Sequence, residues 1–235
     1  MLKTSAFVIK KNDYREFDRI YTVYAQDFGK ISLLVRGARR IKSKLAPYLE
    51  NFGEVRVNFA KGKIFNHLSG AGILKDNKIL LKDLEKINFI YDCLSFADKL
   101  IKSDEADNKI YNLLKEVFNA VGLAEKGDLY KINIYFFWRL VDFLGYRPQL
   151  DECALCGKII GRQPAANSRQ LLFNITDNII ICSDCAGNGL LIKEDTLDNL
   201  RKIFRIGLGE FLRTDASREL ISITEKAKQI KLSEL

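Results

Sequence analysis

The chain has 235 residues, of which 47% are apolar and 29% charged, with 38 Lys/Arg, 30 Asp/Glu and a single His, for a formal net charge of +8. That balance suits a folded chain with room for one large or two modest domains, and it excludes wholesale disorder. No run approaches the roughly 18 uninterrupted apolar residues a membrane span needs, and the opening Met1-Leu-Lys-Thr-Ser-Ala-Phe-Val-Ile-Lys-Lys11 carries no signal-type apolar stretch. A cytoplasmic protein with reduced cysteines is therefore expected. The excess charge is local. Residues 1–80 hold 16 Lys/Arg against 7 Asp/Glu, and residues 81–235 hold 22 against 23. A basic region beside a near-neutral one predicts a polyanion partner held by one end of the chain.

The first third reads as strands. Residues 5–11, 19–25, 30–36, 54–60 and 64–73 are short apolar or alternating runs, separated by turn chemistry at Asn12-Asp13, Asp27-Phe28-Gly29, Gly37 and Lys61-Gly62-Lys63. Val55, Val57 and Phe59 alternate with polar neighbours, which predicts one buried and one wet face. Five such strands suit a small β-barrel. An OB-fold is the obvious candidate, and an SH3-like barrel or an open meander also fits the pattern.

From about Lys78 the period becomes helical. Residues 79–101 place apolar side chains at Leu80, Leu84, Ile87, Tyr91 and Leu94, close to helical spacing. Residues 107–121 and 128–144 follow, with Asp107 and Asp128 as N-caps and Gly122 and Gly145 as C-terminal glycines. The third of these helices is apolar nearly all round and predicts the centre of a bundle. Further helices are expected at about 194–204, 207–212 and 220–230. The expected organisation is α+β and multidomain: an N-terminal barrel domain over residues 1–80, packed against a helical domain over residues 81–235 with an inserted module at about 151–190.

That module is defined by Cys153-Ala-Leu-Cys156 and Cys182-Ser-Asp-Cys185, two C-x₂-C pairs with 25 residues between them. Two disulfides or four separate buried thiols are the alternatives to a metal. In a reducing compartment the spacing favours one Zn²⁺ held by Cys153, Cys156, Cys182 and Cys185, with segments 170–174 and 178–181 pairing as a hairpin between the pairs. Four sulfurs fill a tetrahedron, so the ion would be structural. Cys93, alone in a helical pattern, reads as core.

The densest basic stretch supplies Lys30, Arg36, Arg39, Arg40, Lys42 and Lys44 with no acid before Glu50. These six are the candidates for tracking a phosphate backbone, the alternative being a solvated surface loop. Tyr14, Phe17, Tyr21, Tyr24 and Phe28 lie close by in sequence, either to stack on bases or to fill the barrel. Arg15 and Arg19 sit beside Glu16 and Asp18 and are equally explained by local ion pairs.

Catalysis has little to work with. His67 stands alone on an expected strand, no Gly-rich loop ends in Gly-Lys-Ser/Thr, and the cluster Asp104, Glu105 and Asp107 precedes a helix whose N-terminus it would cap. The residues describe a binding protein rather than an enzyme.

Three stretches carry a resemblance. They are Tyr14-Arg-Glu-Phe-Asp-Arg-Ile20, continuing through Phe28-Gly-Lys30 to Arg36-Gly-Ala-Arg-Arg-Ile-Lys-Ser-Lys-Leu45; Leu144-Gly-Tyr-Arg-Pro-Gln-Leu-Asp-Glu-Cys-Ala-Leu-Cys-Gly157; and, more weakly, Phe204 to Leu212 with Arg213 and Leu220. In this order they resemble the bacterial RecO recombination mediators. The resemblance implies an N-terminal OB-fold, a helical C-terminal domain and an inserted zinc module. It also implies binding of single- and double-stranded DNA, strand annealing, and work with RecR and single-strand-binding protein to load RecA, in the cytoplasm and at the nucleoid during repair, with no membrane and no small-molecule substrate. The family's basic positions fall on Arg36, Arg39, Arg40, Lys42 and Lys44, with Lys30 following less closely. The family's site for the tail of single-strand-binding protein belongs to the helical domain, but the resemblance does not place it on particular residues. The rival expectation from another class is a zinc-ribbon adaptor whose basic loop meets an acidic protein.

Overall fold

The computed structural model describes residues 1–50, 53–76, 82–102, 105–125, 127–160 and 171–233. The chain groups into two compact units, Met1–Glu125 and Lys126–Leu235.

The first unit is built on a closed barrel. Strands β1 (Leu2–Tyr14), β2 (Asp18–Ala25), β3 (Gly29–Val35), β4 (Glu54–Ala60) and β5 (Asn66–Lys75) run in the order β1-β2-β3-β5-β4, and β4 pairs back onto β1. The pairs are antiparallel except for β3 with β5, which is parallel. This is the OB arrangement, so the SH3-like and meander alternatives drop out. Val55, Val57 and Phe59 point inward with Tyr21, Val23 and Leu33, as the alternation of β4 requires. Between β3 and β4 a single turn, α1 (Ala46–Leu49), tucks Ala46 and Leu49 into the same core. Four residues carry no helical period, which is why the sequence reads there as loop.

Two helices belong with the barrel: α2 (Leu84–Leu100) and α3 (Asn108–Leu123). Of the stretch expected as the first helix, residues 79–81 lie outside the described residues. The helix starts one residue after Asp83, whose carboxylate accepts the amides of Glu85 and Lys86 at 3.0 and 3.2 Å. Asp107 does the same for Lys109 at 2.7 Å, as expected of a helix N-cap; Asp104 is outside the described residues. Phe7 on β1 stacks on Phe118 at 5.1 Å and meets Tyr111 at 5.3 Å. The Tyr111 hydroxyl donates to the nearly buried Glu54 carboxylate at 2.7 Å, and Lys115 pairs with the same group at 3.0 Å. Cys93 is buried in this unit, as read from the sequence.

In the second unit, α4 (Leu129–Phe143) is buried along most of its length, with Phe136, Phe137, Trp138 and Leu140 at its centre. Asp128 occupies the N-cap position with helical backbone angles. At the other end Gly145 takes φ +86°, its amide donates to Asp142 O, and the Tyr146 amide donates to Val141 O. These two bonds make a Schellman cap, the role expected of this glycine. Gly122, by contrast, lies inside the last turn of α3. Around α4 stand α5 (Glu194–Arg205), α6 (Leu208–Phe211) and α7 (Arg218–Ser233). Trp138 donates to Thr224 of α7 at 3.0 Å, and its ring lies 6.1 Å from Phe173 of a small sheet.

That sheet contains β6 (Leu171–Asn174), β7 (Ile179–Ile181) and β8 (Leu190–Ile192) in the order β7-β6-β8. The expected hairpin is β6–β7, with Gln170 outside the described residues. The third strand was not legible: three residues show no alternation. It runs so close to β6 that a side chain at Gly189 would sit 2.9 Å from the Phe173 backbone. Among the described residues, no helix is long and apolar enough to cross a membrane.

Candidate nucleic-acid interface and metal centre

The six predicted cations divide by what holds them. Lys30 projects from β3 toward α2, where it pairs with Asp98 at 3.0 Å and donates to the carbonyl of Ile101 at 2.9 Å and to that of Asp98. It is thus committed to the join between barrel and helix and stands apart from the other five. Lys10 meets the same Asp98 carboxylate at 3.0 Å. Burial pushes the Asp98 carboxyl up, but the hydrogen bonds and charges of Lys10 and Lys30 outweigh it and hold the group below the usual aspartate range.

The other five lie in the exposed segment that leaves β3. Gly37, with φ +65°, makes the turn, and its amide donates to the Asp18 carboxylate at 2.8 Å. The Arg39 amide donates to Phe17 O at 2.9 Å, and its guanidinium reaches Arg15 O at 3.4 Å and Asp13 at 3.4 Å. Arg39 is therefore part fastener. Arg36, Arg40, Lys42 and Lys44 are exposed and have no carboxylate partner among the described residues. Two of the nearby acids are occupied by other cations, Asp13 by Arg19 at 2.7 Å, and Glu50 by Arg19 at 3.1 Å and by Lys11, while Asp18 is taken up by the Gly37 amide. The bond from Arg19 is the main reason the Asp13 carboxyl lies below its usual range, with Arg39 adding to it.

The aromatics also divide. Tyr21 and Tyr24 are fully buried, and Phe28 packs edge-on against Phe59 at 5.4 Å, so these three are core. Phe17 is 41% exposed, with the Arg40 guanidinium 4.9 Å from its ring centroid. Tyr14 meets Phe65 of the β4–β5 loop at 5.6 Å. That contact joins the β1–β2 tip to the β4–β5 loop, which carries Lys61 and Lys63, and the Arg39–Phe17 and Gly37–Asp18 bonds join the basic segment to the same hairpin. The sequence gives no signal that Phe65 and the two lysines join the site, because loop proximity is set by barrel closure. His67 packs in β5 beside Gly62.

The four paired cysteines converge. Their sulfurs all lie within 4.8 Å of one another, with Cys156–Cys182 and Cys182–Cys185 at 3.7 Å and Cys153–Cys185 at 3.9 Å. A tetrahedral Zn²⁺ with Zn–S bonds near 2.3 Å has S–S edges of about 3.8 Å, whereas a disulfide needs about 2.05 Å. The donor set fits a metal ion. Gly157, at φ +70°, closes the first turn, and its amide donates to Cys153 O at 2.9 Å. The Cys182 amide reaches the Cys153 sulfur at 3.4 Å. Burial pushes the Cys153 thiol up, but the amides of Cys182, Cys156 and Leu155 more than offset it and bring it down to about 6. Hydrogen bonds with the Cys156 and Cys182 thiols push Cys185 up to about 12. Four such neighbours resist full ionisation unless a cation sits among them. A Lys158–Asp184 pair at 2.7 Å ties the two cysteine turns together.

Comparison with known proteins places both halves. A family model described as Recombination protein O N terminal matches residues 1–76, and one described as Recombination protein O C terminal matches residues 81–229. The chain is 30% identical over 185 residues to the DNA repair protein RecO of Roseiflexus sp. (strain RS-1), covering 79% of this chain and 62% of that one. A second relative of the same name, from Thermoanaerobacter sp. (strain X514), is 30% identical over 67% of this chain and 63% of its own length. A third, from Syntrophomonas wolfei, is 26% identical over 97% of this chain and 86% of its own. Matches to the first two thus span somewhat less than two thirds of those relatives. Family models matched in order over residues 1–76 and 81–229, with relatives of the same name along the chain, lead to one conclusion: the chain belongs to the recombination protein O (RecO) family.

Proposed function

We propose that the chain is a non-enzymatic mediator of DNA repair and recombination, working in the cytoplasm and at the nucleoid. It binds single- and double-stranded DNA through the basic end of its barrel and promotes annealing of complementary strands. With RecR it helps load RecA onto DNA coated by single-strand-binding protein. The observation that carries the reading is the exposed run of Arg36, Arg40, Lys42 and Lys44, with no carboxylate partner among the described residues, joined to the β1–β2 and β4–β5 loops of an OB barrel. Loops at these places on an OB-fold are where oligonucleotides dock. Arg39 adds a fifth charge while bracing the loop, and Lys30 contributes through the fold. Annealing on such a surface needs no nucleotide hydrolysis, because cations that screen two backbones also lower the repulsion between them.

Cys153, Cys156, Cys182 and Cys185 would hold one Zn²⁺. When bound, the ion neutralises the thiolates and fixes the two turns; with four sulfurs around it, it leaves no coordination position for substrate.

Titration of single-stranded DNA against salt tests the reading. Four phosphate contacts at roughly −0.7 each give a slope of log K on log salt of about −3. Absence of DNA binding, or a slope near zero, would defeat the reading and favour a protein-binding adaptor.

A further inference from the structure

We infer that the tip of the β1–β2 hairpin is a base-stacking platform that makes this end of the barrel prefer single strands to duplex; the inference rests on the DNA-binding reading above. Phe17 is 41% exposed, and the barrel does not need its ring, since Tyr21, Leu33 and Phe59 fill that core without it. Yet the residue is firmly held. Its carbonyl accepts the Arg39 amide at 2.9 Å, the adjacent Asp18 carboxylate accepts the Gly37 amide at 2.8 Å, and Arg40 closes the turn by donating to Gly37 O at 3.1 Å. Hairpin tip and basic segment therefore form one piece. Arg15, between the two aromatics, takes φ +53°, a left-handed conformation that non-glycine residues rarely adopt. The Arg39 guanidinium is anchored to its carbonyl.

Each aromatic carries a guanidinium. Arg40 lies 4.9 Å from the Phe17 centroid and Arg15 lies 5.2 Å from that of Tyr14, whose ring also meets Phe65. The outcome is two ring–cation pairs at the hairpin to which the segment carrying Arg36, Lys42 and Lys44 is fastened. A rim ring of this kind can gain only from a free base face, and duplex hides those faces inside its stack. Single strands present them, and stacking on aromatic and guanidinium planes tolerates any sequence. Cations alone bind both forms; the rings add to one.

The full chain would be titrated against a labelled thymidine oligonucleotide and a duplex of equal length, comparing wild type, Phe17→Ala and Phe17→Trp. Phe17→Ala should weaken single-strand binding about 10-fold or more, leaving duplex affinity and the salt slope unchanged. Phe17→Trp should keep single-strand affinity, and its emission, read against the wild-type background, should be quenched by the single strand but not by duplex. Unchanged single-strand affinity in Phe17→Ala, or equal losses on both forms, overturns the platform while leaving the phosphate contacts standing. Should Phe17→Ala fail to fold, the lack of quenching in Phe17→Trp overturns it alone. A wild-type protein that binds neither form defeats the DNA reading itself.

Discussion

In the segment 36–44, like charges are held out in solvent by two successive turns, in which the Arg40 amide donates to Gly37 O and the Ser43 amide to Arg40 O, so the fold bears little of their repulsion. In the cysteine quartet, four groups that repel one another once ionised are drawn within 4.8 Å. Unopposed surface cations cost little to fold and are available to an outside polyanion. A convergent quartet is costly until an internal cation joins it, and then it holds structure together. The comparison teaches that charge left over at a surface points outward to a partner, whereas charge gathered at one point reports on the fold. Lys30 makes the distinction sharper, because it belongs to the basic run by sequence and to the folding side by structure.

The largest effect should come from the quartet. Cys153→Ser removes a ligand from the buried corner of the site, and the second unit should lose about 3 kcal/mol or more of stability together with its metal. Metal analysis should return one Zn²⁺ per wild-type chain, and thermal unfolding with and without chelator should show the same loss. A metal-free wild type of undiminished stability would break the comparison at this end.

A smaller effect tests Lys30. Lys30→Ala takes a donor from the Ile101 carbonyl and one of two cations from Asp98, at a cost of about 1–2 kcal/mol in denaturant unfolding. Its salt slope on DNA should match wild type. A slope shallower by about 0.7 would return Lys30 to the phosphate-binding set.

The smallest effect is on acid stability. The folded Asp98 carboxyl is held below its unfolded value by Lys10 and Lys30. Its contribution is therefore fully present above the ordinary aspartate value of about 3.9 and is lost as pH falls through the lower folded value. Asp98→Asn should be less stable than wild type at neutral pH and should lose less between about pH 4 and pH 2, as read by unfolding at each pH.

Much of this was legible in the sequence, for reasons that differ by element. The barrel strands showed themselves through alternation, as at Val55, Val57 and Phe59, and α4 through its continuous apolar run closed by Gly145. The quartet was legible because metal ligation demands one residue type at fixed spacing. Turn α1 and strand β8 are too short to show a period. The fate of Lys30 was hidden because its partner lies 68 residues away and is brought close only by the packing of α2 on the barrel. The split between core Tyr21, Tyr24 and Phe28 and rim Tyr14 and Phe17 likewise depends on where β1 ends, which turn residues bound only loosely.

The most direct test of the central claim is the affinity of an Arg36→Ala, Lys42→Ala, Lys44→Ala triple variant for single-stranded DNA, measured by equilibrium titration alongside its thermal midpoint and metal content. The account predicts a loss of about 50-fold at 0.15 M salt and a slope shallower by about 2, with midpoint and metal unchanged. Wild-type affinity and slope in that variant would contradict it.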